Sequence, residues 1–75
     1  LIVPRKPIPK VTDATEEDAA LLGRLLLAAN KVAKQAGITE NGFRYVINCG
    51  EWGGQTVFHL HLHILGGRPM AWPPG

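Results

Sequence analysis

Hydrophobic positions recur along this chain with two different periods, and each period predicts a different element. Between residues 15 and 36, Leu22, Leu25, Leu26, Ala29, Ala33 and Ala36 follow the i, i+3, i+4, i+7 rhythm of one helix face. The ends of that stretch carry matching signals. Thr15 and Asp18 have the spacing of a capping arrangement, and Glu16, Glu17 and Asp18 place negative charge in the first turn. Lys31 and Lys34 place positive charge near the last turn, and Gly37 supplies the left-handed residue that stops a helix. Further along, the period drops to two. "FRYVIN", residues 43–48, and "QTVFHLHLHIL", residues 55–65, alternate as half-buried strands do, with the glycine-rich "CGEWGG" between them. So short a link predicts an antiparallel hairpin. "LIV" reads as the tail of a further strand, ended by Pro4, which has no amide hydrogen for a ladder. "IPKVTDA", residues 8–14, is a connecting loop, and "GGRPMAWPPG" is an irregular tail. Strand, helix and hairpin predict an α+β fold: an antiparallel sheet packed on one long helix, in a single domain over residues 1–75.

Composition narrows the function classes. With 75 residues the chain lies near the size at which one core is marginal, so help from a second subunit is expected. Its 45% hydrophobic and 19% charged residues are those of a globular domain. A net charge of +2 is too small to argue for nucleic acid, and Arg5, Lys6 and Lys10 in "PRKPIPK" read as a solvated, proline-stiffened turn. No apolar run is long enough to cross a bilayer, so the chain reads as soluble and not membrane-bound. The single cysteine, Cys49, excludes an intramolecular disulfide and favours a reducing compartment, the cytoplasm. "LIVP" looks like the middle of a strand and no initiator Met precedes it, so the sequence is expected to be a piece of something longer.

Candidate chemistry is concentrated in "HLHLHIL", residues 59–65, which holds all three histidines. Alternation puts His59, His61 and His63 on one strand face and Leu60, Leu62 and Ile64 on the other, where they match the helix's leucine stripe. Three readings compete. The histidines could fill a half-polar sheet face. They could bind zinc, although three positions nearly in line suit a tetrahedral ion poorly and no carboxylate is close in sequence. They could also act on phosphorus, where a neutral imidazole attacks, its neighbours fix its tautomer or protonate a leaving group, and backbone amides hold the phosphate oxygens. Gly53, Gly54 and Gln55 lie at the strand's start, where backbone can approach an anion closely.

The motif "HLHLHIL" fits the His-φ-His-φ-His-φ-φ signature of the histidine triad superfamily, with φ apolar. The surrounding "GGQTVFHLHLHILGGRPMAWPPG" resembles its Hint branch, and "LIVPRKPI", "LLGRLLLAANKVAKQAG" and "GFRYVIN" resemble that branch in order and spacing. The resemblance implies a purine nucleoside phosphoramidase. Such an enzyme hydrolyses nucleoside 5′-phosphoramidates or acyl-adenylates to a nucleoside monophosphate, without metal or other cofactor. It also implies a sheet of five antiparallel strands with a long helix, paired into a homodimer. By resemblance His61 is the nucleophile, and His59 and His63 orient it and assist the leaving group. Asn48, Gly54, Gln55 and Thr56 match residues at the substrate phosphate, and Trp72 matches a tail residue that reaches the partner subunit's site. The resemblance also implies a fourth histidine, and much of the base and ribose pocket, upstream of Leu1. A literal 75-residue protein is therefore expected to be a poor enzyme. A nucleotide-binding or scaffold protein without useful catalysis is the alternative.

Overall fold

A computed structural model describes all 75 residues. One helix, α1 (Ala19–Gln35), packs on an antiparallel pair of short strands, β1 (Arg44–Val46) and β2 (His63–Leu65). The register sets Arg44 opposite Leu65, Tyr45 opposite Ile64 and Val46 opposite His63. The α+β architecture is the expected one.

The helix begins later than its apolar rhythm suggests. Residues Glu16–Asp18 form a 3-10 turn, and α1 starts at Ala19. The Asp18 carboxylate accounts for this tight entry. One oxygen accepts the Thr15 amide at 2.9 Å and the other accepts Lys6 Nζ at 2.5 Å. At the other end Gly37 takes φ +73°, with its amide on the Lys34 carbonyl and the Ile38 amide on the Ala33 carbonyl. That is the Schellman closure expected of a glycine just past a helix.

Leu25, Ala29 and Ala33 are buried, together with Leu60 and Leu62 from the histidine stretch and Ile8 from the N-terminal segment. Leu26 and Ala36, expected on the same helix face, are exposed. Two strands and one N-terminal segment cover only a narrow stripe of α1. Ala29, with no side chain beyond Cβ, packs in one cluster with Leu25, Ile8, Leu60 and Leu62.

Two strand expectations need correcting. "QTVFHLHLHIL" is not one continuous strand: residues 57–59 form a bend, and β2 proper begins at His63. Nor do the two strands meet through a short turn, since residues 47–62 separate β1 from β2. Residues 60–62 take a different partner. Ile2 and Leu62 exchange both backbone bonds at 2.9 Å, and the Leu60 amide donates to the Ile8 carbonyl at 2.6 Å. Residues 60–65 thus have the N-terminal segment on one edge and β1 on the other.

The Lys6–Asp18 pair ties that segment to the helix start, and it carries a pH signature. The Lys6 hydrogen bond, then the Thr15 amide, holds the Asp18 carboxyl below the usual carboxylate range; the same bond holds the Lys6 ammonium above 10.5. A lowered folded carboxyl stabilises above its unfolded value and loses that contribution as pH falls through it. A raised folded ammonium stabilises below its unfolded value and loses it as pH rises through the folded one. Thermal melts across pH should therefore show stability falling at both extremes, with both falls blunted in Asp18→Asn. An unchanged profile in that variant would rule the pair out.

Candidate active site

The alternation of residues 59–63 survives folding. Leu60 and Leu62 are buried while His59, His61 and His63 are half-buried on the opposite face. The apolar pair is held inward by the helix, so the imidazoles are presented on the side away from α1.

Each of two rings is oriented by a backbone carbonyl. The Pro4 carbonyl lies 2.9 Å from His59 Nε2, and the His59 carbonyl lies 2.7 Å from His61 Nδ1. A carbonyl only accepts, so each of those ring nitrogens must carry a hydrogen. In neutral His61 this leaves Nε2 unprotonated, with its lone pair free. The His61 and His63 rings meet edge to face, with centroids 4.9 Å apart.

Around the row, the expected site residues separate into groups. Asn48 is half-buried just after β1, and the β1–β2 register, continued by two residues, would set it level with His61. Gly54 takes φ +80° in a turn whose amide donates to the Glu51 carbonyl. Thr56 is exposed. Trp72 is also exposed, at 82%, in a tail tethered by Arg44, whose guanidinium donates to the Ala71 carbonyl at 2.9 Å. Gln55 departs from expectation. Its side-chain amide, expected at a phosphate, is buried and turned inward onto the backbone. No group of three or more His, Cys, Asp or Glu side chains is placed so that it could hold a metal ion, and no helix is long and apolar enough to cross a membrane.

Sequence reading missed the Pro4 carbonyl, because a backbone acceptor leaves no mark in residue type. It also missed the neighbour of Cys49, whose Sγ lies 3.5 Å from Thr12 Oγ1; that hydrogen bond lowers the thiol from its ordinary value. A hollow of about 150 Å³ adjoins the row, bordered by Leu1, Val3, Val57, His59 and His61. The larger hollow, about 490 Å³, lies away from the histidines, between the Gly37–Gly42 turn and residues 67–70. The smaller one is the one that adjoins the histidines, and it is undersized for a nucleotide, since ligand sites usually span ~300 Å³ or more.

Comparison with known proteins places this arrangement. The family model of the HIT domain matches residues 1–70. An uncharacterized HIT-like protein of Synechocystis is 63% identical over 75 residues, covering 100% of this chain and 65% of that protein. The purine nucleoside phosphoramidase of Escherichia coli is 47% identical over 71 residues, covering 95% of this chain and 60% of that protein. The crystal structure of a HIT family hydrolase from Legionella pneumophila superposes with a TM-score of 0.95 at 46% identity, covering 97% of this chain and 65% of that one. The chain therefore spans about 65% or less of the length of the relatives it matches.

Proposed function

This chain belongs to the HIT domain family, and from that premise we propose that it carries the catalytic histidines of a hydrolase that cleaves purine nucleoside 5′-phosphoramidates or acyl-adenylates. The observation that supports this reading most directly is the His61 Nδ1 contact to the His59 carbonyl at 2.7 Å. It commits the proton to Nδ1 and leaves Nε2 as a nucleophile aimed away from the strand.

In the proposed reaction, His61 Nε2 forms a bond to the α-phosphorus as the P–N bond breaks, and the amine departs with a proton. Water then attacks the nucleotidyl-histidine, releases the nucleoside monophosphate and returns the neutral imidazole. His63, edge-on to His61, is the nearer candidate to hand the leaving group its proton. His59, with Nε2 tied to Pro4, is the candidate to hold the strand and the His61 tautomer in place. Asn48, the Gly54 backbone and Thr56 are proposed to meet the phosphoryl oxygens. The E. coli relative's name supports the purine and phosphoramidate parts of this reading.

The alternative is nucleotide binding without useful catalysis. Release of AMP from adenosine 5′-phosphoramidate by the naturally produced protein decides between them. AMP formation supports the hydrolase, and AMP binding with no turnover supports the alternative.

We also propose that two copies pair. Trp52 at 102% and Trp72 at 82% exposure, with Val57 and Phe58, leave large apolar groups in solvent. Sedimentation at micromolar concentration should show a dimer; a single-copy mass would contradict pairing.

A further inference from the structure

Gln55 and Asp18 are the buried polar and charged side chains of this chain, and the Gln55 side chain makes three hydrogen bonds, all to backbone, which use both of its amide hydrogens. Its Nε2 donates to the Pro9 carbonyl at 2.7 Å and to the Val57 carbonyl at 3.1 Å. Its Oε1 accepts the Gly50 amide at 2.9 Å. These partners fix the amide's orientation, because two carbonyls require the NH2 end and an amide hydrogen requires the oxygen.

The bonds enclose two short stretches. Between Gly50 and Gln55 the clamp is double: the Gln55 amide also donates to the Gly50 carbonyl at 3.0 Å, and Gly54 sits inside the ring so formed. Between Gln55 and Leu60 the backbone is pinned at both ends to one place. The Gln55 side chain holds Pro9, and the Leu60 amide holds Ile8. Residues 56–59 therefore form an arch, with Thr56 exposed on it and the His59 ring tied to Pro4. Val57, whose carbonyl takes the second Gln55 hydrogen, borders the hollow shared by His59 and His61.

We infer that Gln55 is a positioning residue for the phosphoryl side of the histidine site: it fixes the backbone that presents Gly54 and Thr56 and does not itself touch substrate. The catalytic consequence rests on the function proposed above. Donors that must meet developing charge act best when already held in place, and this arch has no strand ladder of its own to hold it. Glutamine suits the role because two donors and one acceptor sit at the end of one reach. Glutamate would turn oxygen towards two carbonyls, and leucine would leave three backbone groups unpaired.

The test uses the naturally produced protein and its Gln55→Glu and Gln55→Leu variants, with adenosine 5′-phosphoramidate as substrate. In Gln55→Glu, kcat should fall about tenfold or more while KM changes far less. Spectra of ¹⁵N-labelled protein without substrate should show shifts at Gly50, Gly54, Thr56 and Val57 in that variant. In the wild type, the Gln55 side-chain amide protons should exchange slowly and stay unmoved when AMP saturates the protein. Wild-type kinetics in Gln55→Leu would overturn the inference, as would Gln55 side-chain protons that move with AMP. If Gln55→Leu fails to fold, Gln55→Glu and the wild-type exchange still decide. A wild type without turnover overturns the proposed reaction instead, and the spectra then settle the place of Gln55 alone.

Discussion

His61→Ala should lose phosphoramidate turnover by more than about 10⁴-fold while still binding AMP within a few-fold of wild type. The expectation follows from one nitrogen. With Nδ1 held against the His59 carbonyl, His61 Nε2 is the ring nitrogen of that residue able to attack phosphorus. Alanine removes the nucleophile without disturbing the buried face, because Leu60 and Leu62 point the other way. Binding should persist because the groups proposed at the phosphate, Asn48, Gly54 and Thr56, are untouched. Stopped-time mass spectrometry offers a second readout. The wild type should carry a transient nucleotidyl adduct on His61, and the variant should carry none. Turnover near wild type in His61→Ala, or an adduct mapped to His59 or His63, would remove His61 from its proposed role.

Leu62→Ala should destabilise the fold by about 2–5 kcal/mol, the range for a buried leucine cut back to alanine. Leu62 is fully buried and packs in a cluster of only five buried residues, with Ile8, Leu25, Ala29 and Leu60. With two of the six helix-facing and strand-facing core positions already alanine, little can move in to fill the gap. In a domain this small the loss should lower the melting temperature by roughly 10–30 °C. Leu27→Ala serves as the control. Leu27 is exposed on the same helix, so its loss should stay within about 0.5 kcal/mol. Equal melting temperatures for the two variants would mean that the leucine face of the histidine stretch does not hold the helix.

Much of the fold was legible because it rests on local rules. The two-residue period of "HLHLHIL" alone determined that Leu60 and Leu62 would face inward and the histidines outward, since a strand alternates its side chains whatever it packs against. The capping arrangement at Thr15 and Asp18 and the stop at Gly37 were readable for the same reason: each involves residues within one turn of each other. Helix extent and face were less so. Residues 16–18 wind as a 3-10 turn whose Asp18 carboxylate also bonds Lys6, twelve residues away, and Leu26 is exposed because nothing arrives to cover it.

What only the tertiary structure decided are contacts between side chains and distant backbone. The His59 ring finds the Pro4 carbonyl across 55 residues, and the Gln55 amide finds the Pro9 carbonyl across 46. A carbonyl is the same in every residue, so no periodicity or residue type announces which one will be near. That depends on where the N-terminal segment runs, and it runs along residues 60–62, on the edge opposite β1. Residue spacing thus determined which groups share one face, whereas the path of the chain decided which nitrogen of His61 is free and turned the Gln55 side chain, expected at a phosphate, onto the backbone around it.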